Sequence, residues 1–155
     1  MSPTPFETAV MHDLIDRALA EKDTPGRAAI AAAIMRGDTV IARGLNEVHL
    51  DHDPTRHAEI VAISRATRAL GDADLTGCTL LTTLQPCEMC LSAMRFAGIR
   101  RVLFAAQKPG VVVSKYFAFP DLDIPDFQSA DPEGFDAFGG LCEHRIIDVY
   151  AAADD

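Results

Sequence analysis

Apolar residues fall at Val10, Leu14, Ile15, Ala18 and Leu19. This three-to-four spacing predicts one amphipathic helix from about Phe6 to Glu21, packed on a sheet. After the breaker Thr24-Pro25-Gly26, two apolar runs, Ala28 to Met35 and Thr39 to Ala42, flank Arg36-Gly37-Asp38, the pattern of two strands joined by a hairpin turn. The stretch Asn46 to Asp53 is polar and closes on Asp53-Pro54. Asp can cap a helix there and Pro fits its first position, so a helix is predicted to begin at this point. Ile60, Ile63, Thr67 and Leu70 continue it and Gly71 stops it, which puts His57 and Glu59 in its first turns.

The run Cys78-Thr-Leu-Leu-Thr-Thr-Leu84 has the composition of a buried strand. A second helix is predicted from Pro86, with Cys90, Ala93, Met94 and Ala97 as its apolar stripe and Gly98 as its end. Arg101 to Ala106 reads as another strand, and strand, helix, strand is an α/β order. From Gln107 onward Pro109, Pro120, Pro125 and Pro132 interrupt a segment whose apolar residues keep neither period. Helix and loop both fit there, and Ile146 to Tyr150 reads as a short terminal strand. No repeat or linker marks a boundary, so one domain over 1–155 is expected.

The 155 residues are 48% hydrophobic, which suits one domain with its own core. No apolar run reaches the roughly 18 residues of a membrane span, and the start MSPTPFETAV lacks the order of a secretory signal. A soluble, cytoplasmic protein with no membrane partner is expected. The net charge of -9 disfavours a nucleic-acid partner, unless Arg56, Arg65, Arg68, Arg95, Arg100 and Arg101 gather on one face.

Two of the four cysteines, Cys87 and Cys90, stand at metal-ligand spacing. On a helix from Pro86 both thiols share a face, near free backbone N–H groups that favour thiolate. Zinc prefers thiolate and imidazole, and a catalytic site takes three ligands from protein. His57, Cys87 and Cys90 fit that set. A carboxylate near such a metal can take a proton from water, the role suited to Glu59. Taken alone, Cys87-Glu-Met-Cys90 also fits a structural knuckle or a redox pair. A closed structural site needs a fourth ligand, and His49, His52, Cys142 and His144 form no second knuckle.

His57-Ala58-Glu59 followed by Pro86-Cys87-Glu88-Met89-Cys90 resembles the cytidine and deoxycytidylate deaminase zinc-binding superfamily. The similarity runs from about Asn46 to Ala106. Asp53-Pro54-Thr55-Arg56-His57-Ala58-Glu59 is similar to the branch holding guanine deaminases and tRNA adenosine deaminases. The resemblance implies a three-layer α/β/α fold with a central mixed sheet of about five strands, the two zinc-bearing helices on one side, one zinc ion per chain and a homodimer. It also implies that Asn46, after the second strand, reaches the base.

Two places depart from the family. Ala29-Ile30-Ala31-Ala32 stands where a Pro-x-Gly-Ala stretch is expected, and Gln107 to Lys115 lacks the loop of the tRNA enzymes. Tyr116, Phe117, Phe119 and Phe127, with Asp121, Asp123 and Asp126, loosely parallel the aromatic, acidic segment that covers the base in guanine deaminases. The leading expectation is hydrolytic deamination of a small nucleobase or nucleoside, an aminopurine such as guanine ahead of cytosine. The alternatives are a cytosine or cytidine deaminase, a tRNA adenosine deaminase, or a structural zinc module.

Overall fold

The computed structural model describes residues 2–112 and 122–152. Helix α1 (Pro5–Glu21) opens on a capping box, in which the Thr4 hydroxyl accepts from the Glu7 N–H and the Glu7 carboxylate accepts from the Thr4 N–H. Strands β1 (Ala31–Arg36) and β2 (Thr39–Leu45) form the expected hairpin, and Gly37 takes the positive φ of 57° that a tight primed turn needs. A short helix α2 (Val48–Asp51) precedes α3 (Ala58–Leu70), followed by β3 (Cys78–Leu84), α4 (Glu88–Phe96) and β4 (Arg101–Ala106). The chain continues through α5 (Ile124–Ala130), β5 (Asp136–Phe138) and α6 (Ile147–Ala151).

The strands form one mixed sheet in the order β2-β1-β3-β4-β5. β1 is antiparallel to both β2 and β3, whereas β3, β4 and β5 run parallel. Side chains alternate across a strand, and two neighbours in β2 reveal the layers. Arg43 reaches Asp13 of α1 at 2.9 Å, while Gly44 lies against the first turns of α3. Helices α1 and α3 therefore cover opposite faces, and α4 lies beside α3. β1 is buried on both faces from Ala31 to Met35, which explains why it reads as a continuous apolar run. The expected α/β/α layering and five-stranded mixed sheet are observed.

Several boundaries differ from the sequence expectation. Asp53-Pro54 does not begin α3, because the Asp53 carboxylate turns onto the N–H and hydroxyl of Thr55 at 2.9 and 2.7 Å and closes a local turn. The helix starts at Ala58 with His57 as its cap. Likewise α4 starts at Glu88 with Cys87 as its cap, not at Pro86. Residues 28–30 precede β1 rather than belonging to it. The terminal stretch forms the helix α6, and the fifth strand is the three-residue β5, too short to show a period.

Gly44 sets how close α3 comes to the sheet. A Cβ there would sit 2.6 Å from the Ala58 carbonyl oxygen and 2.7 Å from the Ala62 nitrogen. Backbone atoms cannot swing aside, so Gly44→Ala should cost about 1–3 kcal/mol through overpacking, read as a lower urea midpoint at unchanged slope.

Candidate functional site

His57 and Cys87 are the cap residues of α3 and α4, both with extended backbones (ψ 155° and 173°). Cys90 lies one turn into α4. The His57 Nδ1 stands 3.5 Å from the Cys87 Sγ and 3.7 Å from the Cys90 Sγ, and the three ligand atoms lie within 4.8 Å of one another. Zinc bonds of about 2.3 Å to sulfur and 2.0–2.1 Å to nitrogen put the corners of a tetrahedron about 3.6 Å apart. The residues present thus fit a zinc ion. The other histidines, at 12, 49, 52 and 144, stand outside this group. Cys78 is buried at the start of β3, and the Cys142 Sγ lies 3.6 Å from the His12 Nε2.

Glu59 sits two residues after His57. On one continuous helix their side chains would diverge, but His57 caps α3 from outside, so both reach the same place. Glu59 is 4% exposed. Its Oε1 accepts from the Thr82 hydroxyl at 2.9 Å, and its Oε2 lies 3.6 Å from the Cys90 Sγ. Burial, reinforced by the charge on Cys87, raises the Glu59 pKa. A hydrogen bond from Cys90 holds Cys87 down to about 4 against the effect of burial, with His57 contributing in the same direction. Cys90, which donates that bond and is buried, keeps its proton well above the ordinary thiol range. The cysteine pair shares one proton that a cation would displace.

Asn46 follows β2 directly and is 2% exposed. Its N–H donates to the Ile30 carbonyl at 3.2 Å, and its Oδ1 accepts from the Val48 N–H at 3.1 Å. The Nδ2 is buried without a partner, so the amide presents a donor. Glu47 ties this loop to the metal side: its N–H donates to the Arg56 carbonyl, and its carboxylate meets Arg56 at 3.2 Å and Arg65 at 2.6 Å. Ile30, whose carbonyl accepts from Asn46, lines a recess of about 370 Å³ together with Ala29, His49, Leu84 and Tyr150 among others. None of His57, Glu59, Cys87 and Cys90 lines it.

Sequence reasoning missed Thr82 and the Glu47 tie. Thr82 was visible only as one of two threonines in an apolar strand, and which one faces Glu59 depends on register against α3. Tyr116, Phe117, Phe119 and Asp121 lie outside the described residues. Asp123 and Asp126 form the capping box of α5. Phe127 lines an apolar groove with Phe96 and Phe135.

The family model described as the cytidine and deoxycytidylate deaminase zinc-binding region matches residues 6–106. A tRNA-specific adenosine deaminase of Agrobacterium fabrum is 41% identical over 124 residues, covering 77% of this chain and 76% of that protein. The guanine deaminase of Bacillus subtilis is 36% identical over 97 residues, 61% of this chain and 62% of that protein. The chain matches only 20% of a Deinococcus deserti tRNA(Ile)-lysidine synthase, at 41% identity over 63% of its own length. Among solved structures, a guanine deaminase from Nitrosomonas europaea has the same fold, with a TM-score of 0.79 at 24% identity over 97% of this chain and 84% of that one.

Zinc uptake by the metal-free protein near pH 7 should release protons, because Cys90 keeps its proton until a cation displaces it. Calorimetry in buffers of different ionisation enthalpy reads this release, and zinc binding without any proton release would contradict a protonated Cys90. Cys87→Ala should lose the metal.

Proposed function

The chain belongs to the cytidine and deoxycytidylate deaminase zinc-binding family, and on that footing we propose that it hydrolytically removes the amino group of a small nucleobase or nucleoside, with an aminopurine such as guanine as the favoured substrate. The observation that carries this proposal is the buried carboxylate of Glu59 set against a cluster of three metal-ligating side chains. His57, Cys87 and Cys90 would hold one zinc ion per chain, which supplies a water of lowered pKa as nucleophile when bound. Glu59 would take one proton of the attacking water and pass it to the ring nitrogen beside the attacked carbon. It would then take the second from the new hydroxyl and give it to the amino group, so that the C–N bond breaks with ammonia leaving and a ring carbonyl in its place. Its raised pKa suits a group that both accepts and returns a proton. Asn46, with Oδ1 already engaged, offers Nδ2 to a carbonyl oxygen or ring nitrogen of the substrate.

The likeness to the Bacillus guanine deaminase supports a small-molecule substrate. The arginines add support. Arg56, Arg65, Arg95, Arg100 and Arg101 each meet a carboxylate, on Glu47, Asp51, Asp131, Glu133 or Glu7, rather than forming a basic stripe. The match to the Agrobacterium enzyme keeps tRNA adenosine deamination as the second candidate. We read residues 1–155 as one deaminase domain, acting as a cytoplasmic homodimer. Phe96, 93% exposed beside the groove of Phe127 and Phe135, offers an apolar surface for a second copy. Among the described residues, no helix is long and apolar enough to cross a membrane.

Ammonia release by the purified zinc form should appear with one member of a panel of guanine, adenine, cytosine, their nucleosides and a tRNA anticodon stem-loop. Glu59→Ala should keep zinc yet lose about 10²–10⁴-fold in kcat. Zinc loss in that variant would contradict the division of roles. Asn46→Ala should raise KM roughly tenfold, the scale of one lost hydrogen bond.

A further inference from the structure

Two adjacent threonines in β3 face opposite sides of the sheet and do different things. Thr83 accepts from the Ala31 N–H at 3.1 Å and shares a hydrogen bond with the Tyr150 hydroxyl at 2.8 Å, which fastens α6 to the sheet. Thr82 is fully buried and directs its hydroxyl onto Glu59 Oε1. A valine fills nearly the same volume and favours a strand equally well. Neither packing nor strand propensity therefore requires a hydroxyl at position 82. Its strand neighbour is Ala32, which in turn pairs with Gly44. This row of small residues lets the first turn of α3 descend until Glu59 comes within reach of Thr82.

The two carboxylate oxygens of Glu59 are held unequally. Oε2 lies 3.6 Å from Cys90, but a cysteine that ligates zinc is a thiolate with no proton to donate. The bond from Thr82 to Oε1 does not depend on the metal. The terminal torsion of a glutamate is broad and twofold, so an unheld carboxylate would let its oxygens exchange places. We propose that Thr82 is a positioning residue for Glu59: by engaging Oε1 it keeps Oε2 on the side of Cys90 as the oxygen that exchanges protons. The proposal rests on the deaminase function above for what Glu59 does, and on geometry for how it is held.

The test uses the full-length zinc forms of Thr82→Val, Thr82→Ser and Thr83→Val, assayed on whichever base the unaltered protein deaminates, together with a crystal structure of the Thr82→Val zinc form. Thr82→Val is expected to retain zinc and its melting temperature, to lose about tenfold to a hundredfold in kcat, and to leave KM essentially unchanged, as befits a lost hydrogen bond to a charged group. Thr82→Ser should recover most of the loss. Thr83→Val should lower the melting temperature instead. In the Thr82→Val crystal the Glu59 carboxylate should be rotated or split between two orientations. An unchanged kcat, an effect confined to KM, loss of zinc, or a Glu59 carboxylate that stays in place without the hydroxyl would each overturn the proposal. If the unaltered protein releases ammonia from no member of the panel, the deaminase function fails separately, and the position of Glu59 in the crystal still decides whether Thr82 holds it.

Discussion

The close approach of α3 to the sheet at Gly44 fixes where the groups around the metal cluster can lie. With no side chain at that position, the Ala58 carbonyl and the Ala62 nitrogen pass within a carbon's radius of the space a Cβ would take. The first turn of α3 then sits at the depth of the strands, and its cap residue His57 meets the cap residue of α4, Cys87. Glu59, one position inside the helix, is carried below the surface onto Thr82. Small side chains at Ala32, Ala58 and Ala62 continue the same contact. A bulkier row would lift α3 and separate the imidazole from the thiols.

Burying a carboxylate beside two thiols is costly unless something compensates. The compensation here is local: the charge of His57, the backbone N–H of Glu59 itself, a hydrogen bond from Thr82 and a weaker contact from Cys90. Such concentration of unfavourable burial beside three metal-ligating side chains marks a functional site rather than a structural one. The same logic applies at Asn46, where one end of the amide is anchored to Val48 and the other is left as a buried donor. Glu47 and its two arginines keep that amide in register with the residues before His57.

The chemistry was more legible in the sequence than the geometry that enables it. His57, Glu59, Cys87 and Cys90 stood out because zinc ligation needs particular atoms at particular spacings, and the structure brings these four side chains together. The helix starts were misplaced by Pro54 and Pro86, since proline marks the approach to a helix as readily as its first residue; at Asp53 the competing turn with Thr55 won. The region after Gln107 could not be parsed, because β5 is too short to display alternation and α6 too short to display a helical period. Thr82 and Gly44 were silent for a different reason: their importance lies in what stands opposite them across layers, which no local pattern records.

X-ray absorption at the zinc edge of the purified protein decides whether the site is open. Ligation by His57, Cys87 and Cys90 gives two sulfur scatterers at about 2.3 Å and two lighter atoms at about 2.0–2.2 Å, with the multiple scattering of a single imidazole, so that one position is left for water beside Glu59. Two imidazoles, a third sulfur or a ligating Glu59 would mean a closed site, and the protein would then be a zinc-stabilised fold rather than a deaminase.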